Sequence, residues 1–277
     1  MLSEKPERVR ALFLSDQMNE QGVFGVKFYK NGLCHEIVVD DLFPCKDNDT
    51  IMSRAYKNHV LWVTVLEKAW AKVHGCYERV SGGMCLNVMR DLTGAPSFFY
   101  DLQKTDEDVF EQILAYDGMD YIMTAGALEA ENMDELRDVG LVAAHAYGLI
   151  AAKKITDKDG DEARLLLLRN PWGKFEWTGK WNDNSDCWTP ELKEEVGFVE
   201  DDDDGLFWIC FEDMKEYFRS VSICKVKDSY IYSNCAVKQS QGSFTLLKLS
   251  VTGDGEHTIS VSQKDERCFS RSSSYEY

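Results

Sequence analysis

An α+β fold is predicted from three stretches of the chain. Phe24 to Lys30 and Leu33 to Asp40 alternate apolar and polar residues around Asn31-Gly32, the dipeptide that favours a tight hairpin turn. Leu61, Val65, Leu66, Ala69 and Val73 recur at helical spacing and share one face. Leu141 to Ile155 and Arg164 to Arg169 are apolar, β-compatible runs separated by the turn residues Asp157, Asp159 and Gly160, which reads as a second hairpin.

The remaining elements follow from local signals. Ser3 to Phe13 is expected to be a short helix, with Ser3 as N-cap and Pro6 in its first turn. After the first hairpin, Asp40, Asp41 and Asp47 lead into a polar loop, and Asn58 is expected to cap a helix running to about His74, closed by Gly75. Ser81-Gly82-Gly83 can bend freely and marks a boundary. Thr105 and Asp108 have the spacing of a capping box for a helix carrying Val109, Phe110, Ile113 and Leu114. Ala127 to Asp138 is acidic, an exposed loop or helical turn. Lys180 to Asp204 is polar, Phe207 to Phe211 returns to a strand, and Glu212 to Phe218 forms a short helix. Beyond about Lys225 the pattern is β, with Phe244 to Val251 and Thr258 to Ser262 alternating across Thr252-Gly253-Asp254-Gly255.

Composition narrows the class. The chain has 277 residues, 44% hydrophobic and 29% charged, enough for one large domain or two ordinary ones. A net charge of -17 argues against a nucleic-acid partner and suits cations, although acidity alone also serves solubility. The nine cysteines include no CxxC pair and are expected to be reduced thiols. No apolar run approaches the ~20 residues of a membrane span, and MLSEKPERVR has no signal-peptide core, so a cytoplasmic location is expected.

Each strand of the second hairpin carries one polar residue that packing would not select, His145 and Asn170. An imidazole needs a partner on one nitrogen to fix its tautomer, and an amide oxygen supplies that without charge. The residues alone leave two readings open. His145 is either a functional base or a satisfied core histidine, and Asn170 is either its orienter or a strand-end residue ahead of Pro171.

Longer strings carry a resemblance. His145-Ala146-Tyr147, Leu168-Arg169-Asn170-Pro171-Trp172-Gly173, Glu176-Trp177-Thr178-Gly179 and Trp181 resemble the His and Asn motifs of the calpain family of papain-like cysteine proteases. Leu66-Glu67-Lys68-Ala69, Tyr77 with Ser81-Gly82-Gly83, Asp91-Leu92-Thr93-Gly94 and Gly205-Leu206-Phe207-Trp208 extend it, in family order, from about Phe24 to Cys224. The resemblance implies a papain-like core: a truncated helical first lobe over 1–83, a β-rich second lobe over 84–225, and the opening of a β-sandwich over 226–277. About 50 residues are too few for a sandwich of ~100, so an exposed segment is expected there. The resemblance also implies that His145 is the general base, that Asn170 orients it, that Trp172 shields their bond from water, and that the substrates are proteins or peptides.

The nucleophile is the difficulty. In papain-like chains it precedes the His by about 130 to 150 residues, which here falls at or before Met1. The first cysteine is Cys34, on a hairpin strand with no helix N-terminus to activate it. Gln21-Gly22-Val23-Phe24-Gly25-Val26-Lys27 copies the glycine spacing of the family's nucleophile segment but puts Lys27 at the cysteine position. Asp186-Cys187-Trp188 copies its tripeptide but lies after Asn170. The expectation is that the thiol and the oxyanion Gln belong to a segment upstream, and that this chain alone is inactive.

Calcium is the cofactor the resemblance implies, and such hard cations take about six to eight oxygen ligands. For the second lobe the matching residues are Glu176, Asp183, Asp204 and a carbonyl near Asp202, with Leu206 where the family has a further carboxylate, so a weakened Ca²⁺ site is expected. In the first lobe Val60 replaces an acidic ligand, and no site is expected. Asp157, Asp159 and Asp161 imitate an EF-hand loop, but Gly160 stands at its position four and Leu168 at its position twelve, so a plain turn is expected. The leading expectation is a calcium-dependent cysteine endopeptidase present without its thiol. The rivals are a non-catalytic calpain-like binding protein, or pseudo-protease, and a pure Ca²⁺-binding module.

Overall fold

The computed structural model describes residues 2–262 except 16, 18–19, 48, 54–59, 106–107, 130–132, 200–203, 228, 236, 238–241 and 243. It is an α+β chain in two compact units. One comprises residues 1–6, 85–89 and 97–228, and the other 7–84, 90–96 and 229–277.

In the second of these units, strands β1 (Val23–Lys30) and β2 (Leu33–Asp40) form the hairpin that Asn31-Gly32 predicts. Asn31 and Gly32 both take positive φ, 54° and 78°, which matches the strand twist. The helix at the chain start is shorter than expected. A 3₁₀ turn over Leu2–Glu4 precedes α1 (Pro6–Arg10), so Pro6 rather than Ser3 marks its start. Phe13 then bridges to Val26, and Lys27 N–H donates to Leu12 C=O at 2.7 Å. The edge of β1 thus claims residues that the cap signals at Ser3 and Pro6 assigned to a helix. A minor ladder, β3 (Cys45–Lys46) with β4 (Asp49–Thr50), follows.

Helix α2 (Trp62–His74) ends at Gly75, where φ is 101° and the N–H donates to Lys72 C=O. The expected cap Asn58 lies outside the described residues. Val65, Ala69 and Trp70 of α2 are buried with Val26 and Phe28 of β1, and the Phe28 and Trp70 rings sit 5.7 Å apart. Leu61 and Val73, expected on the same face, are not part of this core; Leu61 is exposed.

The other unit is built on one antiparallel sheet in the order β5-β10-β6-β7-β8-β9, with β5 at Ser97–Asp101, β6 at Ile122–Ala127, β7 at Ala146–Thr156, β8 at Glu162–Arg169, β9 at Leu206–Cys210 and β10 at Phe218–Cys224. Its helices are α4 (Phe110–Gly118), α5 (Met133–Asp138), α6 (Pro190–Val196) and α7 (Phe211–Tyr217), while α3 (Cys85–Thr93) is divided between the units. The expected capping box of α4 does not form. Asp108 Oδ1 accepts from Phe110 N–H, and the Thr105 N–H turns back to Asp101 C=O. The turn after β7 forms as expected, with Asp157 Oδ1 accepting the N–H groups of Asp159 and Asp161.

Strand β8 explains its own continuous apolar run. Leu166 and Leu168 face a core containing Tyr147, Phe207, Ile209 and Phe218, while Leu165 faces an opposite cluster of Ile155, Trp181, Leu192 and Trp208. A strand buried on both faces has no polar face to alternate. Phe244 to Val251 and Thr258 to Ser262, read as strands, form none, and Phe244, Leu246 and Val261 are 95%, 95% and 88% exposed. Alternation alone does not hold a strand, because a two-stranded ribbon in water is marginal without a face to cover it.

Candidate active site

The β7–β8 register builds the site. Gly148 pairs with Arg169 and Leu149 with Leu168, so the start of β7 lies beside the end of β8. His145 immediately precedes β7 and Asn170 immediately follows β8. The sequence reading placed both on strands; the structure puts them one residue outside, still tied to the sheet by main-chain bonds, His145 C=O accepting from Ala127 N–H and Asn170 N–H donating to Gly205 C=O.

His145 Nε2 lies 3.0 Å from Asn170 Oδ1. The orientation of the amide follows from its other contacts: Asn170 Nδ2 donates to the C=O groups of Lys174 at 2.6 Å and Phe175 at 3.2 Å, and Oδ1 accepts the Trp172 N–H at 3.1 Å. An oxygen can only accept, so Nε2 carries the proton and Nδ1 is left as the basic nitrogen. Among the described residues Nδ1 has no hydrogen-bond partner. Burial holds the His145 pKa below its ordinary value, opposed by the bond to Asn170.

Asn170 is 1% exposed and locked through its backbone. Its N–H donates to Gly205 C=O at 2.8 Å, and its C=O accepts from Gly173 N–H at 3.0 Å across a turn with Pro171 and Trp172 at the corner. Gly205 has φ 82°, and a Cβ there would stand 2.6 Å from the Asn170 carbonyl oxygen, so the close approach needs glycine. The Trp172 ring lies 4.5 Å from the imidazole at 44°, covering one side of the pair while remaining half exposed to solvent.

Two contributors have no role in the sequence reading. Tyr147 is buried, its ring edge-on to His145 at 5.1 Å, and its hydroxyl accepts the Val142 N–H at 2.8 Å. Burial pushes its pKa up to about 12. Phe175, at φ 64°, is held by the Asn170 amide and turns its ring toward Trp172 at 6.3 Å. The period-two step from His145 to Tyr147 could have flagged the first; nothing in the sequence flags the second.

Cys34, Cys45, Cys76 and Cys235 are exposed, Cys85 and Cys187 half-buried, Cys210 and Cys224 buried, and none of these forms a disulfide. No sulfur among the described residues is hydrogen-bonded to His145. Cys85 opens α3, a position that favours a thiolate, yet burial wins and raises its pKa. Cys187 sits in a packed turn whose next residue, Trp188, stacks edge-on against Trp181 at 4.7 Å. Lys27 lies within β1.

The expected calcium ligands are placed as follows. Glu176 Oε1 accepts the Gly205 N–H at 2.9 Å, and Asp204 Oδ1 accepts the Leu206 N–H at 2.7 Å. Asp183 is half-buried in the loop after Trp181, and Asp202 lies outside the described residues. Among the described residues no group of three or more His, Cys, Asp or Glu side chains converges as a metal ion requires. Glu176 and Asp204 each engage a backbone N–H through one carboxylate oxygen, and among the described residues they do not gather with Asp183 into a Ca²⁺ site of about six to eight oxygens.

What these observations define is an amide-oriented imidazole under an indole, at the mouth of an antiparallel sheet in an α+β chain. The calpain family cysteine protease model matches residues 1–225. The catalytic subunit of calpain-2 from Rattus norvegicus is 34% identical over 222 residues, covering 79% of this chain and 32% of that protein. The Homo sapiens subunit is 33% identical over 230 residues, covering 82% and 33%. A calpain-type cysteine protease of Arabidopsis thaliana is 30% identical over 228 residues, covering 79% and 10%. This chain belongs to the calpain family of cysteine proteases. It spans about a third of the length of the calpain-2 subunits and about a tenth of the plant protein. Among solved structures, a crystal structure of SERA5E from Plasmodium falciparum is 17% identical, with TM-score 0.28 over 50% of this chain and 49% of that one, too slight a likeness to argue from.

Proposed function

We propose that the chain carries the base-and-orienter half of a calpain-type cysteine endopeptidase site on a papain-like scaffold, acting on protein substrates in the cytoplasm. The observation that supports this reading is the 3.0 Å contact between His145 Nε2 and Asn170 Oδ1. His145 Nδ1 takes the proton of a cysteine thiol, and the thiolate attacks the scissile carbonyl. The imidazolium then returns that proton to the departing amine, and a water deprotonated by the same nitrogen hydrolyses the thioester. Asn170 keeps Nε2 protonated throughout, and Trp172 excludes water from that hydrogen bond. On this reading the thiol is not among the cysteines described, and the chain alone is expected to be inactive. The family's two lobes correspond here to 1–83 and 84–225.

A direct test fuses a segment bearing Gln-Gly and Gly-Asp-Cys-Trp ahead of Met1. Peptidase activity that iodoacetamide abolishes and His145→Ala removes is the expected result. A folded fusion with no activity, with and without Ca²⁺, overturns the reading.

A second reading, a non-catalytic calpain-like binding protein, is favoured by the cation positions. Glu176 and Asp204 are engaged by backbone N–H groups, and Leu206 offers no oxygen beyond its carbonyl. Calcium dependence therefore remains a proposal carried by family membership. Calorimetric titration with Ca²⁺ separates the cases: a binding heat lost in Glu176→Gln assigns a site at these residues, and no heat removes both the site and a Ca²⁺-module role.

A further inference from the structure

The residue before the candidate base has an unexpected backbone. Ala144 takes φ 51°, in the left-handed region, where a residue with a Cβ pays about 1 to 2 kcal/mol. Its side chain is exposed, so no packing forces this conformation. The turn is held instead by hydrogen bonds. Ala144 N–H donates to Leu128 C=O at 2.7 Å, His145 C=O accepts from Ala127 N–H at 2.9 Å, and Val142 N–H donates to the Tyr147 hydroxyl at 2.8 Å. The first two are main-chain bonds that any sequence could make. The third depends on one oxygen, carried by a side chain whose ring is fixed edge-on against Phe207 and Phe218 at 5.8 and 5.4 Å.

We propose that Tyr147 is a positioning residue: its hydroxyl clamps the Val142–Ala144 turn in a left-handed bend and thereby sets the direction in which the His145 ring leaves the chain toward Asn170. The geometry requires this of some group. His145 precedes the first residue of β7 and reaches the sheet through its C=O, so the bend at Ala144 directs how its side chain leaves the chain. Tyr147 is two positions further, inside β7, and rigid. It ties the loose end of the turn to the packed core beneath the imidazole. The inference rests on the reading of His145 as the base, but its test does not use catalysis.

The test is nitrogen NMR of the His145 imidazole across a pH titration of the whole chain. Tyr147→Phe removes only the oxygen and keeps the ring packing. In the parent, one tautomer protonated at Nε2 and a depressed pKa are expected. In Tyr147→Phe the tautomers mix, and the pKa rises toward about 6.5 as the ring leaves its half-buried seat. Adding Ala144→Gly, which adopts the bend without strain, restores the parent spectrum. Ala144→Val, which strains the same bend while the phenol is intact, reproduces the Tyr147→Phe behaviour. An unchanged His145 spectrum in Tyr147→Phe or Ala144→Val overturns the proposal, as does a Tyr147→Phe shift that Ala144→Gly fails to reverse. If the fusion bearing a thiol is inactive while these shifts occur, the functional reading fails and the positioning role stands.

Discussion

Lys30 Nζ lies 2.6 Å from Asp91 Oδ2, 61 residues along the chain, with the two side chains 6% and 0% exposed. Arg90 Nε adds a contact of 3.3 Å to the other carboxylate oxygen, and the lysine sits 5.4 Å over the Trp70 ring. Removing one member strands a buried charge, which costs about 3 to 5 kcal/mol. Asp91→Ala is therefore expected to lower the urea midpoint sharply, whereas Lys30→Met combined with Asp91→Leu recovers much of the loss. Equal destabilisation by the single and double variants would remove the pair from the account of this unit's stability.

Asn170 makes its second set of bonds to carbonyls, and this distinguishes two substitutions. Asn170→Ala loses the Lys174 and Phe175 contacts, at a cost of about 1 to 3 kcal/mol. Asn170→Asp turns a carboxylate oxygen toward the same two carbonyls and is expected to be the less stable of the two by thermal denaturation. In the thiol-bearing fusion, Asn170→Ala is expected to lower kcat by about 10²-fold or more.

The His145 titration carries a pH signature. A histidine whose folded pKa lies below its unfolded value binds protons more readily when unfolded. Its contribution to stability is present above the unfolded pKa of about 6.5 and is lost as pH falls through the folded value. Urea midpoints measured from pH 8 down to pH 5 are expected to fall, with a shallower slope in His145→Gln. Parallel slopes would show that other groups set the dependence.

Gly205, just ahead of β9, accepts the Asn170 N–H through its C=O at 2.8 Å. Ala at this position combines a φ of 82° with a Cβ 2.6 Å from the Asn170 oxygen. Gly205→Ala is expected to cost at least about 1 kcal/mol and to shift the His145 resonances. The turn at Gly160, where a Cβ would meet nothing within 4 Å, is the control for backbone strain alone.

These outcomes mark how much was legible in the residues. Asn31-Gly32 specified its hairpin, and the paired apolar runs specified β7 and β8, because each local signal agreed with the final packing. Helix α6 was legible but overlooked: Thr189 accepts from Leu192 N–H, Pro190 stands at the first helical position and Gly197 closes it. The chain near Phe13 was misread because a Ser cap and a first-turn Pro mark where a helix starts and say nothing of a strand edge waiting to be covered. His145 and Asn170 stood out by their neighbours in sequence, but the bend ahead of the imidazole did not. Alanine has no preference for positive φ, so Ala144 gives no local sign of it. The hydrogen bonds that accompany that conformation run to Leu128 and Tyr147, not to a residue whose type announces a bend.

The alternating stretch from Phe244 to Val261 has a colloidal consequence. Its side chains project into solvent from a chain carrying 17 excess negative charges, and at low ionic strength that charge keeps molecules apart. Near 1 M salt the repulsion is screened within about 3 Å. Sticky β-prone segments on different molecules can then meet edge to edge. Raising the salt toward about 1 M is therefore expected to lower the concentration at which this protein stays monodisperse.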